Sequence, residues 1–259
     1  MTILDKIVAR KKEEIAEAKT QFSVRELEQS NFFNRATFSV SQRVLQANSS
    51  GIIAEFKRQS PSKGIINDTA NVTDVVKGYE NAGVSASSVL TDTDFFGGSK
   101  NDLIQARNEV NIPLLRKDFM IDEYQFLEAK NWGADIVLLI AAILTPQQVK
   151  TFTDVAQNLG LEVLLELHDE SELNHVYHKV NLVGINNRNL KTFEVDIEQS
   201  IRMAEKLGKD FIKVAESGIS NIDTLKHFKA NGFNAFLIGE NFMKTQNPAL
   251  ACKEFIEQL

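Results

Sequence analysis

Short apolar runs rich in β-branched residues recur along the chain: "IIAEF" at 52–56, "SSVL" at 87–90, "IPLL" at 112–115, "DIVLLI" at 135–140, "EVLLEL" at 162–167, "LVGI" at 182–185, "FIKVA" at 211–215 and "NAFLIG" at 234–239. Runs this short, continuous in apolar character and bounded by turn residues, predict strands buried on both faces. The stretches between them carry helix signals. Thr145 with Pro146 and Asn247 with Pro248 pair an N-cap with a first-turn proline, Asp169 or Ser171 precedes "ELNHVYH", and Ser220 stands ahead of "NIDTLKHF". Gly83, Gly133, Gly160 and Gly232 fall where a helix should end and turn into the next strand. Right-handed crossovers tie each parallel strand to the next, so eight strand and helix units in this order predict a closed (β/α)8 TIM barrel, an α/β fold. A doubly wound open sheet is the competing architecture, but no GxGxxG follows the first strand to support it.

Residues 1–48 precede the first strand and the barrel does not require them, so they form an N-terminal helical extension to one domain spanning 1–259. Within it, Ile3, Leu4, Ile7, Val8 and Ile15 lie among charges on a helical period, predicting a helix near 3–19, and Phe32 and Phe33 follow. The extension must dock either as a lid near the active face or as a plug at the base, and the pattern leaves both open. Its apolar residues do not form the long uninterrupted core of a signal peptide, and no segment reaches the roughly 20 apolar residues of a membrane span, so a cytoplasmic protein without membrane partners is expected.

With 43% hydrophobic and 25% charged residues in 259, the chain can bury about three-quarters of its unfolded surface, enough for a full single core. The net charge of -6 is mild and the basic residues are dispersed, which speaks against a nucleic-acid partner. The single cysteine, Cys252, cannot form an internal disulfide and is read as structural. The histidines at 168, 175, 178 and 227 lack ligand spacing, so no metal is expected; His175 and His178 read as neighbours on a solvated helix face.

Barrel chemistry sits at the carboxyl ends of the strands, and there the polar residues concentrate. Glu55 and Lys57 end the first strand, Lys117 and Asp118 the third, Glu166 and His168 the fifth, Asn186 and Arg188 the sixth, and Glu216 and Ser217 the seventh. Alternation along a strand puts Glu55 with Lys57, and Asn186 with Arg188, on one face. Any one of these could be a solvated charge or a structural ion pair. Charges from several strands together imply a polar mouth, because buried charges persist only when paired or met by ligand and water. Gly218 and Gly239 lie just beyond the seventh and eighth strands, where this fold often holds a phosphate on backbone N–H groups; Ser60 adds a hydroxyl and Lys57 or Arg188 a cation. A small phosphorylated molecule is therefore the preferred ligand, although either glycine taken alone reads first as an ordinary helix cap. Phe96, Phe119, Leu138 and Leu190, core residues if taken singly, could together wall a flat ring.

"ILDKIVARKKEEI", "AEFKRQSPSKG", "SVLTDTDFFGGS", "PLLRKDFMIDEYQ", "GADIVLLIAAIL", "LLELHDESEL", "VGINNRNLKTFEVD", "VAESGI" and "FLIGENFM" closely resemble the blocks of the indole-3-glycerol-phosphate synthase family, almost end to end. The resemblance implies a barrel with its extension over the active face, no metal or organic cofactor, and a substrate, 1-(2-carboxyphenylamino)-1-deoxyribulose 5-phosphate, that closes with loss of carbon dioxide and water. By similarity Lys117 is the general acid of closure and Glu166 the acid/base of dehydration, helped by Glu55 and Lys57. Neighbouring charge and partial burial are expected to bring a lysine toward neutrality for that purpose. The resemblance also gives Asn186, Arg188 and Glu216 orienting roles, Ser60, Ser217, Gly218, Gly239 and Glu240 the phosphate site, and Phe96, Phe119, Leu138 and Leu190 the aromatic pocket. Glu240 departs from relatives with a small serine there. A monomer is expected, a homodimer being the alternative. An isomerase barrel of the same pathway would want a Cys and Asp pair, which the lone terminal Cys252 does not supply. A barrel that only binds sugar phosphates would lack catalytic groups such as Lys57, Lys117 and Glu166.

Overall fold

A computed structural model describes residues 2–188 and 194–259. Eight parallel strands form the barrel: β1 (Ile52–Phe56), β2 (Ala86–Leu90), β3 (Leu114–Lys117), β4 (Ile136–Ile140), β5 (Glu162–Leu167), β6 (Leu182–Asn186), β7 (Ile212–Glu216) and β8 (Ala235–Ile238). Each pairs with its neighbour in sequence, and β1 closes on β8 with Ile52 opposite Phe236. All eight predicted runs become strands, two with the predicted ends and the others shifted by one or two residues.

The side-chain alternation of each strand divides the core in two. Ile53, Leu115, Ile136, Leu138, Leu164, Leu182, Val214 and Leu237 point inward and fill the barrel. Ile52, Ala54, Phe56, Leu114, Val137, Leu165 and Val183 point outward, against the surrounding helices. Following the inward register toward the carboxyl ends leads from Ile53 to Glu55, from Leu115 to Lys117, from Leu164 to Glu166 and from Val214 to Glu216. The barrel's packed lower layers thus carry a charged upper layer on the same rows.

The helices are α1 (Ile3–Gln21), α2 (Val24–Leu27), α3 (Val40–Val44), α4 (Val72–Ala82), α5 (Lys100–Glu109), α6 (Tyr124–Asn131), α7 (Pro146–Asn158), α8 (Ile197–Lys206), α9 (Ile222–Ala230), α10 (Glu240–Met243) and α11 (Pro248–Ile256). Thr145 and Asn247 cap α7 and α11 as predicted, each followed by its first-turn proline. Two expectations need correction. Asn221, not Ser220, caps α9. After Asp169 the chain makes only a 3-10 helix, Glu170–His175, because Glu172 turns back to accept the His168 backbone N–H at 2.6 Å. His178 therefore lies outside any helix, while the His175 ring meets the Leu144 carbonyl.

The extension serves both ends of the barrel. At the base, the Asp135 carboxylate accepts from Phe38 N and pairs with Arg35, and Glu162 at the foot of β5 accepts from Val40 N and Ser41 N, capping α3. Val40 and Val44 then close the bottom of the inner core. At the other end α1 crosses the mouth, with a capping box between Thr2 and Asp5 fixing its start and Ile3, Leu4 and Ile7 facing inward.

Candidate active site

The charged upper layer opens into a cavity of about 360 Å³ at the carboxyl ends of the strands, roofed on one side by α1. Glu55, Lys57, Ser60, Phe96, Lys117, Phe119, Leu138, Glu166, Asn186, Arg188, Glu216, Ser217, Gly218, Gly239 and Glu240 all line it. Every predicted site residue within the described range is thus brought to one place; Leu190 lies outside the described residues.

Two linked charge clusters make the floor. Lys57 Nζ donates to Glu55 Oε1 at 2.7 Å, and Ser88 Oγ to Glu55 Oε2 at 3.4 Å. Arg58, next after Lys57, points the other way, forking onto Asp102 of α5, as strand alternation requires. Across the barrel, Lys117 Nζ donates to Glu166 Oε2 at 2.7 Å and Glu216 Oε2 at 3.1 Å. Asn186 Nδ2 donates to Glu166 Oε1 at 3.0 Å.

Burial disfavours charge on Lys117, but Glu166, Glu216 and Glu55 outweigh it and raise the ammonium above its ordinary value. The expected drift toward neutrality is thus reversed: three carboxylates face the Lys117 ammonium. Burial alone would raise Glu166, yet Lys117 and His168 hold it well below the ordinary carboxylate range. Glu216 goes the other way. Burial pushes it up to about 7 against the pull of Lys117, and its Oε1 has no hydrogen-bond partner.

Small residues make room for these carboxylates. A Cβ on Gly184 would stand 2.1 Å from Glu216 Oε1, and one on Gly239 2.6 Å from Glu55 Oε1. Gly239 therefore has a packing role besides opening α10. Beyond β7, Ser217 and Gly218 both adopt the left-handed region, with φ of 67° and 74°. Successive residues of this kind turn backbone N–H groups toward one point, a concavity suited to an anion. Ser60 lines the same cavity, and Glu240 sits at the rim with its carboxylate 3.6 Å from Lys63 Nζ and 3.7 Å from Arg188 Nη2. Phe96 and Phe119, ring centroids 5.9 Å apart, form with Leu138 the apolar wall.

The sequence reading missed Lys11. Its ammonium, buried beneath α1, pairs with Glu14, with Asp92 at 3.1 Å and with Asp118 at 2.9 Å, so Asp118 holds the lid and does not face a ligand as a free group. The available signal was a lysine on the apolar stripe, at four-residue spacing between Ile7 and Ile15. Among the described residues no group of three or more His, Cys, Asp or Glu side chains is arranged to hold a metal ion, and no helix is long and apolar enough to cross a membrane. Cys252 is buried under α11, its thiol pushed up to about 12 by that burial, far from the cavity.

Residues 4–255 match the family model described as indole-3-glycerol phosphate synthase. Proteins of that name from Bacteroides thetaiotaomicron (46% identical, covering 99% of this chain and 98% of theirs), Polaromonas sp. (43%, 96% of each) and Neisseria meningitidis serogroup C (43%, 95% of each) align along nearly the whole chain. Among solved structures, the thiamine phosphate pyrophosphorylase from Pyrococcus furiosus superposes with a TM-score of 0.58 at 15% identity, over 80% of this chain and 95% of that one. A chain of the tryptophan synthase α2β2 complex from a hyperthermophile, Pyrococcus furiosus, gives 0.60 at 13%, over 82% and 98%. These two likenesses are of fold.

Proposed function

The chain belongs to the indole-3-glycerol phosphate synthase family, and on that premise we propose that Lys117 is the acid of ring closure and Glu166 the acid/base of the dehydration that follows. The activity is that of a decarboxylating lyase of tryptophan biosynthesis. The observation that carries the assignment is the Lys117 ammonium held between Glu166 and Glu216, at 2.7 and 3.1 Å, inside a cavity that also has an apolar wall and the left-handed turn at Ser217 and Gly218.

In this reading the phosphate of 1-(2-carboxyphenylamino)-1-deoxyribulose 5-phosphate rests on the Ser217 and Gly218 turn, with Ser60, Gly239 and the α10 start beside it. The benzene ring lies against Phe96, Phe119 and Leu138. Lys117 donates to the ketone oxygen as the aromatic carbon attacks the carbonyl carbon. A raised ammonium suits this, because the alkoxide that would otherwise form is far more basic than any amine, and a fixed cation stabilises the developing charge before transfer is complete. The carboxylate then leaves as carbon dioxide, its electron pair restoring the ring without help from a cofactor. Glu166 moves the proton of the final loss of water, with Glu55 and Lys57 assisting. Asn186 and Glu216 orient Glu166 and Lys117, and Arg188 meets the substrate's anionic end. Glu240 contributes its backbone N–H to the phosphate, its side chain staying on Lys63.

Purified protein, incubated with this substrate in the presence of chelator, should give the fluorescent indole product. Lys117→Ala should lower kcat by about 10²- to 10⁴-fold, the usual contribution of a general acid, while a substrate analogue still binds. Full turnover by that variant would remove Lys117 from the role.

A further inference from the structure

Past the end of β5, the inward row that carries Leu164 and Glu166 continues to His168, whose ring is buried against the cavity wall. Its Nε2 stands 3.0 Å from Glu166 Oε1 and its Nδ1 3.7 Å from Glu172 Oε2. Neither ring nitrogen is aligned for a hydrogen bond, so what the two contacts contribute depends on the charge of the ring. Glu172 is itself held by the His168 backbone N–H at 2.6 Å, which fixes the carboxylate beside the ring.

We propose that His168 is a positioning residue for the reaction, an imidazolium that is braced by Glu172 and holds the Glu166 carboxylate aimed into the cavity as an anion. The proposal rests on the reading that Glu166 does the acid/base work. Glu166 then has a partner from every side: Lys117 of β3 on Oε2, Asn186 of β6 and His168 on Oε1, with Glu216 of β7 sharing Lys117. A neutral ring would turn a lone pair toward one of the two carboxylates and leave Glu172 without the ring's charge, both unfavourable in a buried place. A charged ring removes both penalties. Burial opposes that charge, but Glu166 and Glu172 overcome it and lift the imidazole to about 10.

Steady-state kcat and KM against pH for wild type, His168→Gln and Glu172→Gln test this. His168→Gln should lower the plateau kcat about 10- to 100-fold with KM within about threefold. It should also move the acid limb of kcat to higher pH, since Glu166 loses a cation; Glu172→Gln should move the basic limb to lower pH, since the imidazolium loses one of its two anions. Because His168 acts through Glu166, the double variant His168→Gln with Glu166→Gln should be no slower than Glu166→Gln alone. An unmoved limb, or fully additive losses, overturns the proposal. Should His168→Gln not fold, the limb shift in Glu172→Gln decides. Wild type that makes no indole product would defeat the family reading instead. In that event ¹⁵N NMR of the ligand-free imidazole still decides: His168 doubly protonated at about pH 8.5, where a free imidazole is neutral, supports the brace and a neutral ring sinks it.

Discussion

Replacing Gly184 by alanine isolates what Glu216 does for Lys117. Gly184 lies on the inward face of β6, and its φ is outside the left-handed region, so alanine meets no backbone penalty. The added methyl would stand 2.1 Å from Glu216 Oε1 and 3.2 Å from Leu164 Cδ1. Glu216 is 2% exposed, so its carboxylate cannot swing into water and must leave Lys117 Nζ, now 3.1 Å away. Overpacking a filled site costs about 1–3 kcal/mol, and a hydrogen bond to a charged group contributes about 1.5–3 kcal/mol. The second quantity acts on the chemistry. At 1.36 kcal/mol per tenfold it corresponds to a fall in kcat of about 10- to 100-fold. Thermal melting should show the first cost, and fluorescence turnover the second, with KM little changed. Gly208→Ala, where a new Cβ meets nothing within 4 Å, should be silent in both assays. A folded Gly184→Ala enzyme with wild-type kcat would show that Lys117 does not need Glu216, and the orienting role would fall.

Lys11→Met should cost about 3–5 kcal/mol, because it leaves Asp92 and Asp118 as buried carboxylates without their common cation; urea unfolding should show it, and KM should rise as α1 loosens from the mouth. Glu216→Gln should trade activity for stability in a pH-dependent way. The folded value of about 7 lies above the unfolded 4.5, so the native state holds the extra proton between them and the Glu216 contribution falls as pH rises through that window. The amide removes a penalty of at most about 3 kcal/mol at pH 8 and almost none at pH 4.5. Melting temperatures of variant and wild type should therefore diverge with rising pH, and parallel curves would refute the raised carboxyl.

The barrel was legible because burial on both strand faces leaves an unbroken apolar run, and the strand-end charges were legible because alternation is rigid: Glu55 and Lys57, two apart, had to share a face. Leu138 and Phe119 stood out only as apolar residues among those charges, and their place on the wall came from the family resemblance. What could not be read is set by contacts distant in sequence. Nothing local says that Glu162 will cap α3 from 121 residues away, or that Lys11 will find Asp118. From the residues alone the docking of residues 2–48 therefore stayed open between lid and plug; the family resemblance implied the lid, and α1 and α3 in fact take opposite ends. The charge state of Lys117 was misjudged for a related reason. Burial could be foreseen from its place on the strand, but the sum of three carboxylates around one ammonium depends on barrel closure.

That closure also explains why a site so heavily charged can sit above an apolar core. Lys117, Glu166 and Glu216 come from β3, β5 and β7, alternate strands that share one layer, so cation and anions meet at contact distance without any loop being held in place. Two glycines on the even strands, Gly184 within β6 and Gly239 just past β8, leave space into which the odd-strand carboxylates lean. A larger residue at either position would push a carboxylate away from its lysine, so the geometry of the acid and base depends on what is missing from the neighbouring strands as much as on the charged groups themselves.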